Sequence, residues 1–339
     1  MRAVVLTAPQ ALDVREAEIP APAADECLVQ VSHSGICGTD LKIFQGEIPV
    51  GYPLIMGHEM AGTLVQAPAS LPPASGSRVI VDPGLFCGAC FHCRAGQTNL
   101  CPNGGLIGRD SDGGFAEYLR VPARNVFALP DEITDNEAPL LQVLSTCVHA
   151  RRLAPASPDE TVVVTGLGVT GQLHVQLAKA SGAFVIGITR SQWKRELAEQ
   201  LGADVTLAPG DDLEERVLAV SDGRGADLVI ETVGSVPLLA QAIDLVRIGG
   251  RLLTFGIYTA EKGTLPFYQT YFKELKIINS RASRGRDFPA SLDLVRRGVV
   301  QLAPLISHTL TLAELDQALA LLSDAAPQRM KIIIDNTSG

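Results

Sequence analysis

Four cysteines sit in one short stretch, Cys87, Cys90, Cys93 and Cys101, spaced C-x-x-C-x-x-C with the fourth after seven intervening residues. Zinc takes four soft ligands at about 2.3 Å, and two-residue spacers let successive sulfurs wrap one ion. Gly88, Gly96, Gln97 and Asn99 keep the loop between them open. Free or disulfide-bonded cysteines are the alternative, and the spacing favours the metal. A zinc with four thiolates has no vacancy for a substrate, so this set predicts a structural ion and places the chemistry elsewhere.

A second set lies upstream. Gly35-Ile36-Cys37-Gly38-Thr39-Asp40 and Gly57-His58-Glu59 offer a thiolate, an imidazole and a carboxylate about twenty residues apart, each beside glycine. Three protein ligands and one open position are the makings of a catalytic zinc, which binds an alcohol oxygen and lowers its pKa. Thr39, two residues from Cys37, is placed to take the hydroxyl proton and pass it on. By spacing alone, a buried structural cysteine and a hydrogen-bonded core histidine remain the better reading.

A third set is Gly166-Leu167-Gly168-Val169-Thr170-Gly171, after an apolar β run and at the head of a helical pattern. Backbone N–H groups and the helix dipole at such a turn hold a pyrophosphate, which makes Gly166, Gly168, Val169 and Gly171 cofactor-binding candidates. An acid at the end of the second strand ordinarily takes the ribose hydroxyls of NAD. Here that position is Thr189, followed by Arg190 and Ser191, with Lys194 and Arg195 a turn later. The group suits a 2′-phosphate through charge-assisted hydrogen bonds, so NADP is favoured over NAD. The alternative is an ordinary solvated loop.

These residues need a scaffold. At 339 residues, 46% apolar and 19% charged, the chain is long enough for about two domains. A net charge of −9 argues against nucleic acid or an anionic membrane and points to a small-molecule substrate. No apolar run approaches the roughly eighteen residues of a membrane span. The first twenty residues alternate like a pair of strands and do not read as a secretion signal, which predicts a cytoplasmic protein. Seven cysteines, four of them assigned to zinc, fit a reducing compartment.

Three blocks follow along the chain. Residues 1–150 carry short β runs at 27–32, 78–82 and 115–121 separated by proline and glycine, a mainly β domain. After a proline-bearing connection at 152–160, residues 151–285 alternate strand and helix: strands at 161–165, 184–189, 226–231, 251–255 and 275–279, helices at 171–181 and 236–247. This predicts an α/β doubly wound parallel sheet. Residues 286–339, with helices near 288–297 and 312–323 and a closing strand at 331–335, are expected to return to the first domain.

Together these motifs, with Asp112-Gly113-Gly114-Phe115-Ala116-Glu117-Tyr118 and the segment after Leu275, resemble the zinc-dependent medium-chain dehydrogenases of the alcohol, sorbitol and threonine dehydrogenase family. The resemblance covers the whole chain. It implies a GroES-like β domain with a structural zinc lobe and a Rossmann domain. The implied reaction is hydride transfer between a secondary alcohol, a polyol or sugar acid, and a nicotinamide cofactor, in a homodimer or homotetramer. Asp40 is then the partner of a zinc-bound His58, and Glu59 a ligand or a displaceable neighbour. Relatives place an acid or cysteine ligand where this chain has Gln142, a poorer ligand; Cys147 ranks below it. Lys42 stands where many relatives carry the histidine that ends a proton relay. Residues 280–289 most resemble the branch acting on sugar acids such as L-galactonate or L-gulonate, with Arg281 as the candidate to hold a carboxylate. His33, His92, His149, His174 and His308 read as structural or exposed. Two rival classes are a zinc-free NADPH reductase of the quinone type and a non-catalytic NADP-binding redox sensor.

Overall fold

Alternate residues of four strands point into one core. Cys27, Val29 and Val31 of strand Glu26–Gly35 pack with Met60 and Leu64 of Glu59–Gln66, Val79 and Val81 of Arg78–Val81, and Leu119 and Val121 of Tyr118–Pro122. This is the period of two expected of strands with one face buried, and each buried aliphatic side chain contributes about 1.5–3 kcal/mol. The sheet has seven strands in the order Val126–Ala128, Arg78–Val81, Glu59–Gln66, Glu26–Gly35, Lys331–Asp335, Ile306–Thr311, with Tyr118–Pro122 also pairing Glu26–Gly35. One register matters for the chemistry: Gly35 lies opposite Glu59, and Gly35 also pairs with Ile333 of the closing strand.

The computed structural model describes residues 1–69, 73–323 and 328–338. It divides into two compact units, Met1–Ser145 with Ser283–Arg297 and Leu302–Gly339, and Thr146–Ala282 with Gly298–Gln301. The first division falls inside the helix Leu140–Leu153, ahead of the proline-bearing connection where composition changes. A domain boundary inside a helix carries no turn signal.

In the second unit six parallel strands run in the order Val205–Leu207, Phe184–Ile188, Thr161–Thr165, Ala226–Glu231, Val246–Thr254, Lys276–Asn279. Along Thr161–Thr165 every residue is buried, because both faces are covered: Val162 and Val164 join a cluster with Val175, Ala178 and Ala198, while Val163 joins Leu213, Val217, Ala242 and Ile243. The doubly wound sheet expected from the strand–helix alternation is therefore present. The chain leaves the central strand Thr161–Thr165 toward one edge and returns to its other side at Ala226–Glu231, so the direction of strand order reverses beside the glycine turn, where such sheets bind dinucleotides.

Two expected elements differ. The strand expected over 115–121 is confined to Tyr118–Pro122, since Phe115 and Glu117 bond instead to the segments at Val4, Met56 and Arg2. The helix expected over 236–247 ends at Leu245, where Val246 turns extended and begins a strand running to Thr254. Among the described residues no helix is long and apolar enough to cross a membrane.

His174, in the helix Val169–Lys179, is 2% exposed and packs edge-on against Phe255 at 4.8 Å. Burial pulls its pKa down to about 3, so the folded state keeps it neutral while the unfolded chain takes up a proton near pH 6.5. Its contribution is complete above pH 6.5 and is lost progressively as pH falls toward 3, at about 1.4 kcal/mol per unit. Thermal midpoints recorded from pH 7.5 to 5 should fall with acidity in the wild type and fall less steeply in His174→Leu. Equal slopes would clear His174 of the effect.

Candidate active site and metal centres

The cysteine lobe is built from short pieces: the helix Phe91–Arg94 capped by Cys90, a 3-10 turn Thr98–Leu100, and Gly88 and Gly96 at positive φ of 73° and 69°. Its sulfurs lie 3.6 Å (Cys87 and Cys101), 3.9 Å (Cys90 and Cys101) and 4.0 Å (Cys87 and Cys93) apart. A tetrahedron with metal–sulfur bonds of about 2.3 Å has edges of about 3.8 Å, so the set matches one zinc. All seven cysteines of the chain are unbridged. Backbone N–H groups of Ala89 and Cys90 draw the Cys87 thiol down to about 6, while burial, with the hydrogen bond to Cys90, pushes Cys93 up to about 12. Four sulfurs this close can all be thiolates only with a cation among them.

The second set converges as well. One ligand atom from each of Cys37, His58 and Glu59 lies within 4.8 Å of the others. Cys37 leaves the strand Glu26–Gly35 and caps the helix Gly38–Phe44. Asp40, wholly buried in that helix, accepts from the Cys37 N–H at 2.8 Å and faces His58 Nδ1 at 3.2 Å. The second imidazole nitrogen is left for a metal. Burial lowers the pKa of His58, but the charge and hydrogen bond of Asp40, with a smaller part from Cys37, outweigh it and hold the imidazole well above its usual value. A metal entering here displaces that proton. The donor set of thiolate, imidazole and carboxylate fits zinc.

Glycine makes the turn at His58 possible. Gly57 has φ +96°, and a Cβ on it would come within 2.9 Å of the Phe115 ring. Asp112 Oδ1 accepts from Ile55 N at 2.9 Å, while Gly113, Gly114 and Phe115 donate to the carbonyls of Ile55, Gly57 and Met56. The Asp112–Phe115 segment is thus the buttress of the histidine turn.

Thr39 and Lys42 stand one turn apart on the Gly38–Phe44 helix, both partly buried. Gln142 is buried on Leu140–Leu153, its backbone carbonyl accepting from Ser145 Oγ at 2.6 Å. Cys147 is fully buried near the Thr170 carbonyl, and burial raises its thiol. Neither Cys147 nor His33, His92, His149, His174 or His308 joins a group of three candidate ligands among the described residues.

In the second unit the glycine turn has the cradle that a phosphate needs. Gly166 has φ +87°, and a Cβ at Gly171 would lie 1.9 Å from the Gly166 carbonyl, so only glycine lets the helix start so close to the strand. At Gly168 a Cβ would meet nothing within 4 Å. Thr232 Oγ1 ties the next strand to this turn, donating to the Thr165 and Gly166 carbonyls. Thr189 follows the strand Phe184–Ile188, Arg190 is exposed, and Arg195 Nη1 donates to the carbonyls of Thr189 and Arg190 at 2.8 and 3.0 Å. Arg195 therefore braces the loop that carries Arg190 and Ser191, and Lys194 lies over the Trp193 ring. Arg281 is exposed just beyond the strand Lys276–Asn279, and the nearby Arg284 is engaged with Asn99.

Sequence spacing carried no sign of Lys331. It opens the closing strand, is 4% exposed, donates from Nζ to the Ile36 carbonyl at 2.8 Å and pairs with Glu59 Oε2. A charged residue at the head of the run Lys331-Ile332-Ile333-Ile334 was the available signal.

Residues 23–131 match the model of the alcohol dehydrogenase GroES-like domain, and residues 169–297 that of the zinc-binding dehydrogenases. The L-threonine 3-dehydrogenase of Pyrococcus horikoshii is 35% identical over 91% of both chains. The L-galactonate-5-dehydrogenase of Escherichia coli is 32% identical over 93% of both. A crystal structure from Sinorhizobium meliloti, of a protein assigned as a zinc-binding dehydrogenase and bound to NADP, superposes with a TM-score of 0.93 at 35% identity over 99% of each chain. On likeness of this extent the protein belongs to the zinc-type medium-chain alcohol, sorbitol and threonine dehydrogenase family, and is an oxidoreductase acting on CH–OH groups.

Proposed function

We propose that the protein is a zinc-dependent, NADP-preferring dehydrogenase that oxidises a secondary hydroxyl of a sugar acid. The observation that carries the zinc is the convergence of Cys37, His58 and Glu59 within 4.8 Å, with the amide oxygen of Gln142 proposed as a further, weak ligand. Bound there, zinc would supply a Lewis acid for the substrate oxygen, and the nicotinamide a hydride acceptor. Asp40 fixes the orientation of His58. Thr39 Oγ1 accepts the hydroxyl proton as it gives up its own, which passes to Lys42, a turn further on, once that lysine has released a proton to solvent. The turn from Gly166 to Gly171, with Val169 opening its helix, holds the pyrophosphate.

Cofactor choice rests on Thr189, which puts no carboxylate against a 2′-phosphate, and on Arg190 and Ser191 beside it, braced by Arg195. Arg281 would hold the substrate carboxylate by paired hydrogen bonds. We further propose a homo-oligomer, a dimer or tetramer. The strand Lys276–Asn279 is an exposed sheet edge, and the neighbouring helix Phe267–Phe272 exposes Tyr268 and Tyr271 at 73% and 84%. Seven unbridged cysteines suit the cytoplasm.

The deciding experiment is a panel of sugar acids and matching polyols assayed with NADP and NAD in zinc-replete buffer. A sugar acid should be oxidised best, with NADP. Arg281→Ala should then lose about 1.5–3 kcal/mol in kcat/KM on the acid and little on the polyol. Activity confined to polyols would sink the sugar-acid assignment, and a preference for NAD the assignment of cofactor.

A further inference from the structure

Lys331 has unusual company for a lysine. A buried ammonium is costly unless it is paired and its remaining protons are bonded. Its two partners belong to the two segments that supply the candidate metal ligands: the Ile36 carbonyl immediately precedes Cys37, and Glu59 is itself a ligand. The pair meets across Gly35. A Cβ at that position would lie 2.1 Å from Glu59 Oε2 and 2.8 Å from Lys331 Cε, so the missing side chain makes room for both groups. The register sets them there, since Gly35 pairs with Glu59 on one side and with Ile333, two residues past Lys331, on the other.

The buried carboxylate of Glu59 thus has a counter-ion of its own within the protein. A divalent cation arriving between Cys37, His58 and Glu59 must share that carboxylate with an ammonium and must settle beside a positive charge. Any group that stabilises the metal-free state more than the metal-bound state weakens the metal by the same factor. Gln142 adds no compensating anion.

We propose that Lys331 is a positioning residue that competes with the catalytic metal for Glu59, keeping the metal-free site intact and the metal exchangeable. The proposal rests on the assignment of Cys37, His58 and Glu59 as metal ligands.

Zinc content and zinc affinity, the latter by competition with a chromogenic chelator, test it on the full-length chain. Lys331→Met, freed of the competing charge, should bind the second zinc roughly five- to a hundredfold more tightly than the wild type, the usual range of a coupling between two bound groups, and its metal-free form should melt at a lower temperature. Lys331→Arg, which keeps the charge, should stay near the wild type in both. In the cobalt-substituted protein the visible absorption of Lys331→Met should shift as Glu59, no longer shared with the ammonium, binds the metal more strongly. Equal or weaker zinc binding in Lys331→Met would overturn the proposal. If that variant does not survive without metal, it can be purified with zinc: slower loss of zinc to chelator than in the wild type supports competition, and equal or faster loss overturns it. Cys37→Ser separates this from the ligand assignment. Two zinc ions per wild-type chain falling to one in Cys37→Ser upholds the ligands whatever Lys331 does. Two ions retained would remove the assignment itself.

Discussion

Cys90→Ser should leave the lobe without its metal, reduce zinc by one ion per chain and lower the thermal midpoint by roughly 10 °C. The lobe has almost nothing else to hold it. Its one helix is four residues long, Phe91 is 79% exposed, and of the four cysteines only Cys101 is buried. Sulfurs 3.6–4.0 Å apart repel as thiolates once the cation is gone. Serine removes one soft ligand and leaves three charges or protonated thiols in an open loop. Turnover of freshly prepared, zinc-replete variant should stay close to wild type below its melting range, because a saturated zinc takes no part in chemistry. A variant that is as stable as wild type and carries its full metal content would remove zinc from the lobe.

What was legible in the sequence was local. The cysteine spacing is a property of fifteen consecutive residues, and the apolar runs at 161–165 and 226–231 announce strands covered on both faces. Cys37, His58 and Glu59 were legible as residue types, but their meeting depends on which strands pair. The opposition of Gly35 and Glu59 is a register between two strands, and nothing in either strand alone specifies it. The same holds for the helix Leu140–Leu153, inside which the two compact units divide, while composition pointed to the prolines after it.

Longer reach was harder still. Lys331 lies at the far end of the chain from the glutamate it pairs with, and a single lysine before three isoleucines reads as the solvated start of a strand. Phe115 heads the run 115–121 that reads as a strand; in the structure it is the surface against which Gly57 turns, so that His58 can face Asp40. In both cases the signal was a residue out of keeping with its neighbours: a charge heading a buried run, and glycines at 57, 113 and 114 where ordinary strands would carry side chains. Such local departures mark places where tertiary structure, not propensity, decides.

Thr39→Val should lower kcat by about a hundredfold or more, the usual scale of a positioned proton acceptor. Valine matches threonine in shape, and Thr39 is partly buried in the short helix Gly38–Phe44, two residues from Cys37 and three from Lys42. The substitution removes a hydroxyl and little else, so zinc content and the dissociation constant of NADPH, measured by fluorescence, should stay at wild-type values. The pH dependence gives a second readout. With the relay intact, Thr39 Oγ1 accepts the hydroxyl proton as its own proton passes to Lys42, once that lysine has released one of its protons to solvent; without it the proton must go directly to water, so oxidation should become more strongly dependent on alkaline pH. Lys42→Met should show the same change in pH profile with a smaller loss in kcat, since Thr39 can still hand its proton to solvent. Undiminished turnover in Thr39→Val, with an unaltered pH profile, would take Thr39 out of the mechanism.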